Sequence, residues 1–266
     1  MAEHDAKEDA PDTQNTQYDQ IGTKYNAIKV LPSVEPEEPS VVKALGDMKG
    51  SRCLDLACGT GKMTSLLARL GASSVLSYDI SSSMIDGAKA TYPPPQYPNL
   101  TFKVRDCSVP GDMKHDSPFD IVFAGWFLNY AGTEVELTNM FRVIEQNLAP
   151  DGRFVGVTTN VADPWVTQPK MDFYGLDILV LDSAYVAPDT KQKVGITARV
   201  VVKDDTPFSF DVFQFKKEVY ERCAAAAGLR LTWGNLVLPD DERVTEGFWE
   251  RYVERPTFSV IEAVRL

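Results

Sequence analysis

Two acids at the ends of successive predicted strands frame a turn of small residues. The segment Arg52–Lys62 reads Arg-Cys-Leu-Asp-Leu-Ala-Cys-Gly-Thr-Gly-Lys, and a second apolar run ends at Asp79. Gly59 and Gly61 lack the side chain that would block a close backbone approach to a ligand. Asp79 lies 18 residues after Gly61, where a carboxylate accepts both hydroxyls of a ribose. The spacing predicts a nucleotide-like ligand across the carboxyl ends of a parallel sheet.

Asp55 indicates which kind of nucleotide-like ligand the turn accepts. It ends the first strand and precedes a turn that lacks the dinucleotide fingerprint G-x-G-x-x-G. A carboxylate there repels a pyrophosphate, whereas it attracts an ammonium group, directly or through water. S-adenosyl-L-methionine fits this pattern, because it carries a ribose, an adenine, a sulfonium and an amino-acid tail, and no phosphate.

Four motifs in chain order resemble those of the class I S-adenosylmethionine-dependent methyltransferases. The first follows the family pattern acid-x-Gly-x-Gly-x-Gly, with Ala57 in place of the first glycine. The core resemblance covers residues 18–160, and both ends of the chain look like the toxoflavin-synthase-like group of small-molecule methyltransferases. The four motifs are Asp55–Gly61, Asp79-Ile80-Ser81 with Met84, Phe102–Cys107 and Phe119–Tyr130, and the terminal segments are Tyr18–Tyr25 and Phe258–Val264.

The resemblance implies cofactor contacts along the carboxyl edge of the sheet. Asp79 would bind the ribose hydroxyls, Asp106 would accept the adenine amino group, and the backbone of Cys107 would meet the adenine ring. Met84 either presses on the adenine or belongs to the core of its helix. The predicted cofactor-binding residues are Tyr18, Tyr25, Asp55, Ala57, Gly59, Gly61, Asp79, Ile80, Met84, Asp106, Cys107, Ala124 and Trp126.

Residues that would face the substrate lie at the end of the fourth motif. The resemblance places Asn129 and Tyr130 beside the substrate. Tyr130 would orient a nucleophile or take a proton, unless it is an exposed tyrosine at a helix start. The resemblance also suggests that a helix over Tyr18–Ile28 closes over the cofactor, although the face formed by Tyr18 and Tyr25 is equally typical of simple packing.

Strands and helices alternate from Arg52 to Thr158, which predicts a doubly wound parallel sheet. We expect a Rossmann-like methyltransferase fold with seven mostly parallel strands, in a single domain over residues 17–266. Residues 1–16 are polar and have no apolar periodicity, so we expect a disordered acidic tail.

Residues 160–215 interrupt this alternation. The runs Thr197–Lys203 and Phe208–Phe215 predict strands of a small antiparallel cap. Because the cofactor motifs lie elsewhere, we expect this insertion to determine the choice of substrate. Its large apolar side chains are predicted to form a pocket wall, although core packing would explain some of them; they are Trp165, Met171, Phe173 and Tyr174.

The bulk composition excludes several classes of partner. A net charge of -11 and a pI of about 4.7 disfavour a nucleic-acid substrate, because the surface repels a phosphate backbone. No apolar run is long enough to span a membrane. The four cysteines show no metal-ligand spacing, so we expect no metal site and reduced, buried thiols in a cytoplasmic protein.

These observations predict an enzyme that transfers a methyl group from S-adenosyl-L-methionine to an O, N or C nucleophile of a small-molecule substrate, such as a secondary metabolite. Such an in-line displacement requires alignment and exclusion of water rather than a metal. Two alternatives remain. In the first, the protein is an enzyme of this fold that binds the cofactor but catalyses a cyclisation or rearrangement. In the second, the protein is a non-catalytic, cofactor-binding partner subunit.

Overall fold

Seven strands form one sheet through the centre of the protein. The computed structural model describes residues 17–203 and 207–266, so the predicted tail over residues 1–16 lies outside the described residues. The strands of this sheet are β1 Arg52–Leu56, β2 Ser74–Asp79, β3 Leu100–Val104, β4 Phe119–Gly125, β5 Leu148–Thr159, β10 Leu229–Trp233 and β11 Phe258–Arg265, numbered in chain order with the cap strands described below.

The order of these strands is β10-β11-β5-β4-β1-β2-β3. Neighbouring strands are parallel from β5 to β3, whereas β11 runs antiparallel to both β5 and β10. The predicted seven-stranded, mostly parallel sheet is therefore confirmed. The strands β2 and β3 extend the sheet on one side of β1, whereas β4 and β5 extend it on the other side. The order in which strands are added therefore reverses between β1 and β4.

Helices cover both faces of the sheet. One core cluster joins Leu67 and Ile85 with the sheet, and a second joins Phe141 and Tyr220 with the opposite face. The described helices are α1 Gln17–Ile21, α2 Glu37–Leu45, α3 Lys62–Arg69, α4 Ser82–Thr91, α5 Glu134–Asn147, α6 Lys217–Ala226 and α7 Glu250–Glu254.

The N-terminal segment differs from the helix predicted over Tyr18–Ile28. Only α1 is α-helical, and the chain continues as a 3₁₀ helix over Gly22–Val30. Gly22 has φ +53, a left-handed conformation that ends an α-helix. The helix α2 begins at Glu37 and includes Pro39, which is tolerated in the first turn of a helix.

A second, four-stranded antiparallel sheet forms the cap within the predicted insertion. Its strands pair in the order β6-β7-β8-β9, and it buries an apolar face with Ile21 and Ile28 of the N-terminal segment. No helix in the described part of the chain is long and apolar enough to cross a membrane. The cap strands are β6 Lys170–Phe173, β7 Leu176–Val186, β8 Lys193–Val202 and β9 Phe208–Phe215.

Candidate active site

A cavity of about 270 Å³ opens at the carboxyl ends of β1 and β4 and extends to the cap sheet. These strands flank the point where the winding of the sheet reverses, which is where open α/β sheets bind their ligands. Residues from the sheet edge, the N-terminal segment and the cap line the same cavity.

Asp79 ends β2 and lines the cavity, although the residue is only 8% exposed. Its Oδ2 accepts the N–H of Gly59 at 2.8 Å, and its Oδ1 accepts the N–H of Ser81 at 2.9 Å. Burial raises the pKa of Asp79, and these two hydrogen bonds oppose the rise. Each carboxylate oxygen can accept a second hydrogen bond, so the fixed carboxylate retains acceptor sites for two ligand hydroxyls.

Asp55 lies in β1 and faces the same cavity. Its Oδ2 accepts the hydroxyl of Thr64 at 2.6 Å, whereas its buried Oδ1 has no hydrogen-bond partner among the described residues. Burial raises the pKa of Asp55 to about 7. A buried acceptor without a partner is costly, so Oδ1 is a site at which a ligand donor would be stabilised.

The turn between β1 and α3 places three residues in the left-handed region: Ala57 at φ +58, Gly59 at +54 and Gly61 at +84. A Cβ added to Gly59 would meet nothing within 4 Å, and Gly59 lines the cavity. A Cβ added to Gly61 would lie 3.0 Å from the ring of Tyr92 and 3.1 Å from that of Phe102. Gly59 therefore leaves room for a ligand, whereas Gly61 lies outside the cavity lining and permits close internal packing.

The end of β4 contributes Gly125 and Trp126 to the cavity, whereas Ala124 is buried outside its lining. Trp126 adopts φ +60, which is unusual for a large side chain. Its indole Nε1 donates to Oε2 of Glu37 at 2.9 Å. Burial raises the pKa of Glu37, which also lines the cavity.

Two lysines form a cationic pair beside the turn. Lys29 and Lys62 both line the cavity, and Nζ of Lys29 donates to Oγ1 of Thr60 at 2.6 Å. Burial, together with the charge of Lys62, lowers the pKa of Lys29 to about 8. The pair is placed to hold a carboxylate in the cavity that also contains Asp55.

Four of the predicted cofactor residues lie together around the ends of β2 and β3. Ile80, Met84, Asp106 and Cys107 all line the cavity. Met84 and Cys107 are buried, whereas Ile80 is 42% exposed. Oδ1 of Asp106 accepts both the N–H and the hydroxyl of Ser108, at 2.8 and 2.7 Å. The group combines apolar side chains with one fixed acid, a combination suited to a planar heterocycle that carries an amino group.

A cluster of aromatic residues closes the cavity from the N-terminal side. The hydroxyls of Tyr18 and Tyr130 hydrogen-bond to each other, and the Tyr25 ring meets that of Tyr18 edge-on, 5.4 Å between centroids. Both N-terminal tyrosines contact Phe210 of β9. Burial raises the pKa of all three tyrosines, so they are neutral at neutral pH. The three tyrosines line the cavity, whereas Asn129 is buried outside its lining.

Hydrogen bonds hold the N-terminal segment between the sheet edge and the cap. The side chain of Gln17 donates to the carbonyl of Asp211 at 3.2 Å and accepts the N–H of Asp211 at 2.8 Å. On the other side, the hydroxyl of Ser81 donates to Oδ1 of Asp19 at 2.6 Å. The segment thus connects the helix end beside Asp79 with β9 of the cap.

The cap lines the cavity with different residues from those predicted. Trp165 and Met171 are 40% and 45% exposed, and Phe173 and Tyr174 pack against Tyr252. None of the four predicted residues belongs to the cavity lining. The cap instead contributes mainly small or aliphatic side chains of β7, β8 and β9: Leu176, Ile178, Val180, Ile196, Ala198, Val200, Phe210 and Val212.

Several polar residues of the cavity were missed by sequence reasoning. Glu37 lies in the proline-rich segment 32–39, for which no functional motif is present, and Lys29 follows the predicted helix Tyr18–Ile28 by one residue. At the cap end, no motif marked the further polar residues that line the cavity, namely Thr159, Asp163, Gln168, Lys170, Gln214, Arg255 and Thr257.

Comparisons of the sequence and of the structure with known proteins find methyltransferases. Residues 53–152, from β1 into β5, match the sequence model of a family described as "Methyltransferase domain". An S-adenosylmethionine dependent methyltransferase of known structure from Mesorhizobium loti superposes with a TM-score of 0.61 at 20% identity, covering 86% of this chain and 98% of that chain. The fold is that of the S-adenosylmethionine-dependent methyltransferases.

Two curated methyltransferases are similar to this chain over part of their length. The magnesium-protoporphyrin O-methyltransferase of Rhodobacter capsulatus is 44% identical over 64 residues, which are 24% of this chain and 28% of that protein. The demethylmenaquinone methyltransferase of Lactococcus lactis is 29% identical over 149 residues, 54% of this chain and 57% of that protein. The chain therefore spans less than two thirds of either relative.

Proposed function

We propose that this protein binds S-adenosyl-L-methionine and transfers its methyl group to an O, N or C nucleophile of a small molecule. One observation carries the proposal: a single cavity joins the acids at the sheet edge to the aliphatic wall of the cap. A cofactor held by the acids at the sheet edge would therefore lie next to an apolar or aromatic acceptor that packs against the cap wall.

The residues at the sheet edge suit the chemistry of this cofactor. Asp79 would accept the ribose hydroxyls, and the open space beside Gly59 admits the ligand. The unpartnered Oδ1 of Asp55 would accept from the ammonium group of the amino-acid tail, while Lys29 and Lys62 would hold its carboxylate. When bound, the cofactor supplies a methyl group that its positive sulfonium already activates.

The remaining residues would position the acceptor and exclude water. Tyr18, Tyr25 and Tyr130 are neutral at neutral pH, so they would orient an acceptor by hydrogen bonds rather than act as ionised bases. The N-terminal segment and the cap cover the cavity and would shield the methyl group from water.

The surface and the ends of the chain support a small-molecule acceptor. The net charge of -11 would repel the phosphate backbone of a nucleic acid. The terminal segments Tyr18–Tyr25 and Phe258–Val264, which look like those of toxoflavin-synthase-like enzymes, favour a secondary metabolite as the acceptor. Alternatively, the chain catalyses a rearrangement or serves as a cofactor-binding partner.

A label-transfer experiment separates these possibilities. The protein is incubated with S-adenosyl-L-methionine tritiated on its methyl group and a protein-free small-molecule extract. Organic-soluble tritium is counted, and S-adenosylhomocysteine, which carries no label, is quantified separately by chromatography. We expect equal amounts of labelled product and S-adenosylhomocysteine, and much less of both with Asp79→Asn at a limiting concentration of the cofactor. Cofactor binding without S-adenosylhomocysteine formation would contradict methyl transfer and favour the alternatives.

The N-terminal segment is expected to be required for cofactor binding. Deleting residues 1–28 removes both tyrosines and two buried isoleucines, Ile21 and Ile28, so we expect a large loss of affinity for S-adenosylhomocysteine in calorimetric titration. Deleting residues 1–16 is the matched control, because it removes none of the contacts described above. Full affinity after the longer deletion would show that the segment does not cover the cofactor.

Cofactor affinity is expected to fall as the pH rises above about 8, because Lys29 loses its proton through a pKa of about 8 and no longer attracts the carboxylate. The α-amino group of the cofactor titrates at about 7.7–8.0, so Lys29→Arg, which keeps its charge, is the control. Calorimetric titrations across this range should show a steeper decline for the wild type than for Lys29→Arg. Superimposable profiles would contradict a role for Lys29.

A further inference from the structure

Two cations share one carboxylate at the cap end of the cavity. Nζ of Lys170 lies 3.1 Å from Oδ2 of Asp163 and donates to the carbonyl of Pro256 at 2.8 Å. Nε of Arg255 lies 3.1 Å from Oδ1 of the same Asp163. All three charged residues line the cavity. The group therefore carries an excess of one positive charge.

This cluster is largely removed from solvent. The side chains of Lys170 and Asp163 are 8% and 2% exposed, and that of Arg255 is 16% exposed. Burial lowers the pKa of Lys170 to about 8 despite the neighbouring carboxylate. A buried cation without a full counter-charge is costly, so a purely structural cluster would be expected to balance its charges.

The hydrogen bonds of the cluster leave donors for a further acceptor. Asp163 already receives Nε and Nη2 of Arg255, and Nη2 also donates to the carbonyls of Trp165 and Gln168. An ammonium group has three donors, of which Lys170 uses two on Asp163 and Pro256. Nζ also lies 5.4 Å from the centroid of the Phe173 ring, a weaker contact than a hydrogen bond to an anion, so the third donor would bind an anionic group in the cavity in preference.

The wall next to this cluster is aliphatic. Ile178, Val180 and Val200 of the cap line the same cavity, and Thr159 adds a hydroxyl from the end of β5. A ligand that reaches from the sheet edge to Lys170 would therefore contact apolar side chains along its body and cations at its far end.

We propose that the methyl acceptor is an amphipathic anion, whose apolar body lies against the cap wall and whose carboxylate or phosphate group binds Lys170 and Arg255. This inference rests on the proposed function and names the substrate class of the same site. The anionic group supplies the missing negative charge and serves for recognition, at the opposite end from the acids that would hold the cofactor.

Matched probes that differ in head group test the proposal. The protein is first saturated with S-adenosylhomocysteine and then titrated calorimetrically with 3-phenylpropanoate, phenyl phosphate, 3-phenylpropan-1-ol and 3-phenylpropylamine. We expect at least one anionic probe to bind roughly tenfold or more tightly than the alcohol, and the amine to bind least, since charged hydrogen bonds are the stronger ones. The tighter of the two anions identifies the head group.

Variants at Lys170 assign the preference to this cluster. Lys170→Met should reduce the preference for the anion over the alcohol to less than about threefold, whereas Lys170→Arg should retain most of it. Lys193→Met, an exposed lysine of β8 outside the cavity, is the matched control. The titration with S-adenosylhomocysteine comes first, so failure of that step would count against the proposed function. Equal binding of acid and alcohol by the loaded protein, no binding of either anion, or an unchanged preference in Lys170→Met would overturn the anion site.

Discussion

Replacing Asp79 with asparagine is expected to weaken the binding of S-adenosyl-L-methionine by roughly 10- to 100-fold, because charge-assisted hydrogen bonds contribute about 1.5–3 kcal/mol each. The carboxylate lies at the tip of β2 with its orientation fixed by the N–H groups of Gly59 and Ser81. An amide offers a single acceptor oxygen, so it cannot serve both ribose hydroxyls and both N–H groups.

The measurement is calorimetric titration with S-adenosyl-L-methionine and with S-adenosylhomocysteine. The matched control is Asp86→Asn, which makes the same charge change at an exposed position of α4 outside the cavity lining. Circular dichroism and thermal unfolding establish that the Asp79→Asn variant is folded, since the turn loses part of its support. Wild-type affinity in a folded Asp79→Asn protein would contradict the ribose assignment.

Replacing Asp55 with asparagine is expected to stabilise the unliganded protein above neutral pH while weakening cofactor binding. The folded-state pKa of Asp55 is raised from 3.8 to about 7, so the free energy of unfolding that this group contributes is present below about pH 4, falls as the pH rises from about 4 to about 7, and stays low above that. Asparagine removes the buried charge and can still accept from Thr64. We expect a gain on the order of a few kcal/mol at about pH 8, a smaller gain at about pH 5, and little gain below about pH 4.

The same substitution removes the ionised acceptor for the cofactor's ammonium group. Wild-type affinity should therefore fall as the pH drops below about 7, because Asp55 becomes protonated, whereas the Asp55→Asn protein should bind weakly at every pH. Denaturant unfolding and calorimetric titration, each across pH, measure the two effects. Asp151→Asn, at an exposed position of β5, is the control. A variant that loses stability, or binds the cofactor as the wild type does, would contradict this role.

Local patterns in the sequence were sufficient to predict the sheet and the acids at its edge. The apolar run before Asp55, the glycine turn and the helix periodicity after Gly61 are short-range features, and the structure has β1 and α3 at these positions. A residue at the end of a parallel strand reaches the ligand edge whatever its distant neighbours are, so Asp55, Asp79 and Asp106 all line the cavity.

The cap was predicted correctly as an antiparallel sheet, but its cavity wall was not. Phe173 and Tyr174 were expected in the pocket, yet they pack against Trp249 and Tyr252 around α7, a short helix that the sequence pattern did not reveal. The side on which Phe173 and Tyr174 pack depends on contacts with residues almost 80 positions later in the chain.

Local sequence patterns also did not predict which charged residues line the cavity. Glu37 and Lys170 look like surface residues in sequence, and they line the cavity only because α2 and the cap fold over the sheet edge. The same dependence on distant packing explains why Lys29 was not singled out, although it lies on a segment that was expected to cover the cofactor.

The most direct test of the central claim is a calorimetric titration of the wild-type protein with S-adenosyl-L-methionine, with NAD as the comparison nucleotide. We expect one molecule of S-adenosyl-L-methionine to bind per chain, to be displaced by S-adenosylhomocysteine, and no binding of NAD, because Asp55 and the turn lack a pyrophosphate site. Binding of NAD at this site, or no binding of S-adenosyl-L-methionine to the folded protein, would contradict the proposed function.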